Sequence, residues 1–81
     1  MNVRVKLFAA AREIAGSAEI VIDTPSPATA GCVRSALAAQ QPKLAALTAS
    51  SLLAVNAEYA NDATQVSPDD EVALIPPVSG G

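Results

Sequence analysis

The first residues of the chain alternate between hydrophobic and polar side chains. Within residues 2–8, one side carries Val3, Val5 and Leu7, and the other carries Arg4, Lys6 and Phe8. A period of two residues is typical of a strand with one buried face. We therefore expect Phe8, the single phenylalanine of the chain, on the outer face of a sheet.

Further segments predict one main helix and several more strands. The predicted strands are residues 19–23, 52–55, 63–66 and 71–75. A short helix is predicted over residues 9–15 and the main helix over residues 29–41, where Pro42 stops it. The apolar stripe of the main helix, expected to face the sheet, consists of Val33, Ala36, Leu37 and Gln40. Residues 43–51 are expected to form a looser segment, with room for a turn of helix around Leu44 and Leu47.

This order of elements predicts an α+β fold with a mixed sheet of about five strands and one main helix across one face. If the first and last strands lie together in parallel at the centre, the arrangement is a β-grasp. In the last strand, Val72 and Leu74 would face the core, which leaves Ala73 and Ile75 facing outward. We expect a domain over residues 1–75 and a C-terminal tail over residues 76–81.

Composition narrows the classes of function. A chain of 81 residues, of which 51% are hydrophobic, forms one small domain with a modest core. It contains no histidine and one cysteine, Cys32, so it lacks the usual general base and the commonest metal ligand. This argues against a self-contained hydrolase or a metalloprotein, and we expect Cys32 to be a small core residue. Function is expected at a surface or a terminus.

The charges are divided along the sequence. All five basic residues precede residue 44, whereas five acidic residues and no basic ones follow it, and the net charge is −3. An acidic C-terminal half repels nucleic acid and suits a basic protein partner, although a solvated acidic face explains it equally well. Because no apolar run approaches the length of a membrane span, we expect a cytoplasmic protein without membrane contact.

The C-terminal residues suggest a reactive chain end. Pro76 and Pro77 favour a stiff, extended exit from the last strand, and Gly80 and Gly81 supply a tip that can thread a narrow channel. A terminal glycine carboxylate is the least hindered acyl group that a protein can present. The alternative is a frayed end without a role.

An apolar surface beside this tail is also predicted. Phe8 would lie near Ile75 on the outer face, which suggests an exposed patch. Tyr59 could extend that patch or cap the core with its ring. The alternative for Phe8 is that a loop or the segment over residues 43–51 covers it.

Three segments together resemble a known family. Residues 7–16 (LFAAAREIAG), 53–56 (LAVN) and 70–81 (DEVALIPPVSGG) are similar to the small subunit of molybdopterin synthase at the expected spacings. The alanine-rich main helix, with Gly31 and Cys32 at its start, is not distinctive of that family.

The resemblance implies a β-grasp fold and a cycle of sulfur transfer. An adenylyltransferase related to ubiquitin-activating enzymes would use ATP to adenylate Gly81, and a sulfurtransferase would supply the sulfur of a thiocarboxylate. The tail, including Val78 and Ser79, would enter the large subunit and deliver sulfur to cyclic pyranopterin monophosphate. Phe8, Tyr59 and Ile75 would contact these partners in a heterotetramer of two small and two large subunits. No cofactor or metal would be held by this chain itself.

The sequence leaves three other functions open. The chain could be a carrier of another pathway, such as the thiamine type, or a ubiquitin-like modifier that forms isopeptide bonds through Gly81. It could also be a plain interaction module whose tail is idle. The Pro-Pro-Val-Ser string before the two glycines and the Phe-Ala to Arg-Glu string favour the molybdopterin branch.

Overall fold

The computed structural model describes residues 1–77 of the chain. Seven strands and three α-helices follow one another, with a 3₁₀ helix at Pro42–Leu44 before the last helix. The strands are β1 (Asn2–Leu7), β2 (Glu19–Asp23), β3 (Ala28–Thr29), β4 (Leu52–Val55), β5 (Glu58–Ala60), β6 (Gln65–Val66) and β7 (Val72–Ile75). The helices are α1 (Ala9–Ala15), α2 (Ala30–Gln40) and α3 (Ala45–Ser50).

Five of the strands form one mixed sheet. Their order is β2-β1-β7-β4-β5, in which β1 and β7 run parallel at the centre and every other pair is antiparallel. The predicted β-grasp is therefore confirmed. β3 and β6 pair separately as a small second sheet that the sequence did not predict as such.

The core lies between one face of the sheet and the helices. Val3, Val5 and Leu7 are buried, as their alternation predicts, and so are Val72 and Leu74. From the helical side the large buried hydrophobic residues are Val33, Leu37 and Leu44. The alternate residues of β1 and β2 are exposed, as is Leu52 at the start of β4, so the opposite face of the sheet is open.

The start of α2 depends on a close contact with the loop before β6. The N–H groups of Ala30 and Gly31 donate to the carbonyls of Thr64 at 2.8 Å and Asp62 at 3.0 Å. The Thr29 side chain accepts from the N–H of Cys32 at 3.3 Å. A Cβ on Gly31 would lie 3.2 Å from both Cβ and the carbonyl oxygen of Asp62, so glycine is what permits this approach.

Gln40 was predicted to face the core, and this is wrong. Its side chain is exposed, and its amide binds both backbone groups of Asp23 at the end of β2. A buried amide needs polar partners, which the apolar inner face does not offer. The amide therefore reaches the edge of the sheet instead.

The helical turn allowed for around Leu44 and Leu47 is present and is longer than expected, since Pro42–Leu44 and Ala45–Ser50 are both helical. Leu44 is buried and Leu47 is partly buried against the core. Arg34 of α2 donates to the carbonyls of Thr48 and Ser51, so this segment is tied to the main helix.

Within residues 1–77, no helix has both the length and the apolar character needed to cross a membrane.

Candidate functional site: the open face beside the C-terminal segment

The register of the central strands brings three large apolar side chains together on the open face. β1 pairs Leu7 with Leu74, so Phe8 follows β1 next to Ile75, the last residue of β7. On the other side of β7, Ile75 is paired with Leu52 at the start of β4. Phe8, Ile75 and Leu52 therefore lie in one row across three strands.

A second row, two residues further along β7, ends at Tyr59. Ala73 is paired with Ala54, and Ala54 with Tyr59 of β5. Because side chains alternate along each strand, this row shares the open face with the first. We call the two rows together the apolar patch, which consists of Phe8, Leu52, Ala54, Tyr59, Ala73 and Ile75.

The large members of the apolar patch are mostly accessible. The exposed fractions are 48% for Phe8, 53% for Leu52 and 73% for Tyr59, whereas Ile75 is half-buried. The outward placement of Phe8 and Ile75 is thus confirmed, and the alternative that residues 43–51 cover Phe8 is wrong. Tyr59 extends the patch and does not cap the core.

Sequence reasoning did not include Leu52 in this surface. A signal was present, since Leu52 and Leu53 are adjacent in a strand and side chains alternate. One of the two leucines had to point away from the core, and the structure assigns Leu53 to the core and Leu52 to the patch.

The other half of the open face is charged. It carries Arg4 and Lys6 of β1, Glu19 of β2 and Glu71 just before β7. The Lys6 Nζ donates to Glu71 Oε1 at 2.9 Å, and this hydrogen bond and the opposite charge raise the pKa of Lys6 above its ordinary value. The apolar patch is therefore bordered on one side by paired charges.

Asn56 fixes where β7 begins. It occupies the turn between β4 and β5 with a positive φ of 51°, a conformation that asparagine tolerates better than most residues. Its backbone N–H donates to the Glu71 carbonyl at 2.8 Å, and its Oδ1 accepts from the Glu71 N–H at 2.9 Å. The start of the central strand is thereby joined to the neighbouring hairpin.

The turn before β7 is closed by Asp70. Its carboxylate accepts from the Ser67 N–H at 2.8 Å and from Asn56 Nδ2 at 3.0 Å. These bonds to the ionised form, the one from the Ser67 backbone first, lower the pKa of Asp70. Asp70 is therefore part of a hydrogen-bonded turn, and β7 leaves it in a defined direction towards the apolar patch.

The C-terminal segment starts at the apolar patch. Pro76 is buried and Pro77 is exposed, so the segment that sequence assigned to the tail is still packed at its first residue. The predicted partner contacts at Val78 and Ser79, and the predicted acyl-transfer residues Gly80 and Gly81, lie outside the described residues.

Cys32 lies on α2, which packs on the inner face, away from the apolar patch. It is half-buried, and hydrogen bonds with the Thr29 side chain lower the pKa of its thiol. The expectation of a small core residue is therefore met only in part.

The sequence of this chain matches a known protein family, and its fold matches solved structures. Residues 5–81 match the ThiS family, which is 77 of the 81 positions. The chain belongs to the ThiS family.

Several relatives that match this chain over most of its length are named molybdopterin synthase sulfur carrier subunit. One from Arabidopsis thaliana is 37% identical over 81 residues, spanning 100% of this chain and 84% of the relative. Another from Dictyostelium discoideum is also 37% identical, over 96% of this chain and 94% of the relative. The family resemblance inferred from the three sequence segments is confirmed.

A solved structure shares the fold closely. The small archaeal modifier protein 1 of H. volcanii superposes with a TM-score of 0.81 at 30% identity, covering 95% of this chain and 98% of that one. The β-grasp architecture is thus common to this chain and to a protein described as a modifier.

Proposed function

We propose that this ThiS-family chain is the sulfur-donating small subunit of a molybdopterin synthase and that the carboxylate of Gly81 carries the sulfur. One observation carries the proposal furthest. Ile75, the last residue of the central strand, lies within an exposed apolar patch, so the C-terminal segment begins where a partner can dock. Docking on this patch brings residues 77–81 to the partner's active site.

The apolar patch has the chemistry of a protein interface. Exposed aromatic and aliphatic side chains at the centre of a contact contribute most of its binding energy, while polar rims contribute less. Phe8, Tyr59 and Leu52 supply such anchors, and the Lys6–Glu71 pair at the border enters an interface with its charges already matched. We assign this surface to the large subunit of the synthase.

The proposed reaction uses the carboxylate in two steps. An adenylyltransferase related to ubiquitin-activating enzymes joins it to the α-phosphate of ATP, and pyrophosphate leaves. A sulfurtransferase then delivers sulfur to the acyl carbon, and AMP leaves with the bonding pair, so that a thiocarboxylate remains. ATP is bound by the adenylyltransferase and not by this chain.

The thiocarboxylate is then discharged inside the large subunit. Its sulfur replaces an oxygen on cyclic pyranopterin monophosphate, and water cleaves the bond between that sulfur and the acyl carbon, which restores the Gly81 carboxylate. Two such transfers supply both sulfur atoms of the molybdopterin dithiolene. The acid–base groups belong to the partners, which is consistent with the absence of histidine from this chain. We propose that the chain acts in the cytoplasm, in a heterotetramer of two small and two large subunits.

Intact mass spectrometry tests the proposal. After incubation with the adenylyltransferase, ATP and a sulfur source, the chain is expected to exchange one oxygen for sulfur. A variant that lacks Gly81 is the matched control, because it keeps the whole described domain and should show no exchange. A complete mixture that leaves the mass unchanged, or an exchange that persists without Gly81, contradicts the proposal.

A second candidate function is protein modification. The likeness to a small archaeal modifier protein supports it, since both uses of a terminal glycine proceed through the same acyl-adenylate. The two are separated by what discharges the adenylate: a lysine amine gives an isopeptide conjugate, whereas a sulfur donor gives the thiocarboxylate. Lysine conjugates of wild-type chain in cell extracts, absent for the variant lacking Gly81, would favour the modifier.

A further inference from the structure

The outer edge of β2 has no neighbouring strand among the described residues. β2 is an edge strand, and its register pairs Asn2 with Asp23, Arg4 with Val21 and Lys6 with Glu19. In an antiparallel pair, alternate residues bond to the neighbour and the others direct their N–H and C=O groups away from it.

The hydrogen bonds of Thr24, which follows β2, show which residues of β2 bond to β1 and which point away from it. The N–H of Thr24 donates to the Met1 carbonyl at 2.9 Å, and the Met1 amino group donates to the Thr24 carbonyl at 2.6 Å. Even-numbered residues therefore bond to β1. Glu19, Val21 and Asp23 point their backbone groups outward, where no strand of the described chain lies beside them.

Two side chains cover the ends of this outward row. The Ser17 hydroxyl donates to the Glu19 carbonyl at 2.7 Å and accepts from the Glu19 N–H at 3.3 Å. At the other end, Gln40 Nε2 donates to the Asp23 carbonyl at 2.6 Å and its Oε1 accepts from the Asp23 N–H at 3.0 Å. We call Ser17 and Gln40 the edge caps, because each occupies both backbone groups of one strand residue.

Val21 is left as the uncovered residue of the row. Its backbone groups make no hydrogen bond among the described residues outside the β1–β2 ladder, and its side chain is 55% exposed. Unpaired backbone groups on an edge, next to an apolar side chain, are a template for strand addition. One open residue between two covered ones is too short for a stable new ladder.

We propose that the edge caps keep a second copy of this chain from adding to the sheet through β2. The charges of β2 also disfavour pairing with a second copy of this chain. When two copies of β2 pair antiparallel about Val21, Glu19 of one copy faces Asp23 of the other. Like charges directly opposite each other destabilise a strand pair. The caps and the repulsion act on the same contact and keep the carrier monomeric.

Hydrogen exchange of the wild-type chain is the first test. All three outward amides belong to one edge strand, so without caps they would exchange at similar rates after correction for intrinsic chemistry. With caps, the amides of Glu19 and Asp23 are expected to exchange on the order of tenfold more slowly than that of Val21. Equal corrected rates for the three amides would overturn the proposal.

Removal of the caps is the second test. The Ser17→Ala/Gln40→Ala variant, with Asp23→Asn added so that no like charges face each other, is expected to dimerise in light scattering at concentrations at which the wild-type chain is monomeric. Its control is Ser50→Ala/Gln41→Ala with the same Asp23→Asn, which removes the same side-chain types away from the β2 edge and should remain monomeric.

Adding Val21→Asp to the variant without caps locates the contact, since an aspartate on each copy at the dimer axis repels the other and is flanked by Glu19 of the other copy. It is expected to restore the monomer. A capless variant that keeps its circular dichroism spectrum and stays monomeric, or a dimer that survives Val21→Asp, contradicts the inference.

Discussion

Asn56 and Glu71 are joined by two hydrogen bonds that close a ring between the β4–β5 turn and the start of β7. The Asn56 N–H donates to the Glu71 carbonyl at 2.8 Å, and the Glu71 N–H donates to Asn56 Oδ1 at 2.9 Å. The Asn56 side chain also reaches Asp70. One residue thus connects the hairpin that carries Tyr59, at one side of the apolar patch, with the strand that carries Ile75, in its middle.

Replacing Asn56 by alanine should destabilise the domain. Asn56→Ala loses two side-chain hydrogen bonds, each worth about 0.5–1.5 kcal/mol, and replaces asparagine at a positive φ by alanine, which tolerates that conformation less well. We expect the free energy of unfolding to fall by about 2–3 kcal/mol in a urea titration. Asn56→Gly should lose less, since it keeps the backbone conformation. Equal midpoints for wild type and Asn56→Ala would show that the ring does not stabilise the fold.

A charge in the apolar patch should weaken binding of the large subunit. Phe8→Asp buries an unpaired carboxylate in the interface, and loss of a central aromatic anchor typically costs about 2 kcal/mol, which is about 30-fold in Kd. Isothermal titration measures the effect.

Val21→Asp is the matched control for this prediction, since Val21 is similarly exposed on the same face but lies in its charged half. It should change Kd little. Equal losses for the two variants would place the interface elsewhere on the sheet.

A larger side chain at residue 31 should disturb the contact between α2 and the loop before β6. Even a Cβ would lie 3.2 Å from the Asp62 backbone, so Gly31→Val forces the loop to move and should cost about 1–3 kcal/mol. Ala39→Val, on an exposed position of the same helix, controls for the lower helix propensity of valine. If both variants melt at the same temperature, the close approach at Gly31 is not required.

Stability in acid should depend on Asp70. Hydrogen bonds from Ser67 and Asn56 lower the pKa of Asp70 in the folded chain, whereas the unfolded chain has the ordinary value of about 3.9. Its contribution is therefore fully present above that value and is lost as the pH falls through the lowered folded pKa.

We expect Asp70→Asn to flatten the acid limb of the curve of unfolding free energy against pH. Asp69→Asn is the control, because Asp69 is exposed and makes no side-chain hydrogen bond in the described chain. An acid limb that is unchanged in Asp70→Asn but flattened in Asp69→Asn would contradict the assignment.

Strands with a full alternating pattern could be predicted from sequence. β1 was placed to within one residue, and the parity of β7 assigned Val72 and Leu74 to the core and Ile75 to the outer face. These segments have four or more residues with a period of two, which the burial of one face requires. The parallel pairing of β1 with β7 joins the two ends of the domain, so no local sequence pattern could predict it and it is known only from the structure.

The short strands β3 and β5 could not be predicted from sequence, because they are too short to show an alternating pattern. β5 has three residues and β3 has two, so neither shows a period. The turn into β5 uses Asn56 and Ala57, both at positive φ, in place of the Asn-Gly pair that usually signals a hairpin. Tyr59 could therefore not be assigned to a strand, and both of its roles stayed open.

Buried Pro76 also limits how far the chain end can travel. A peptide extends by at most about 3.3–3.6 Å per residue, so Gly81, five positions further on, stays within about 17 Å of Pro76. Every protein that acts on Gly81 must keep its reactive centre inside this radius while it holds the domain. An adenylating enzyme and a pterin-binding subunit that both use Gly81 would thus be subject to the same upper limit on the distance between docking surface and reactive centre.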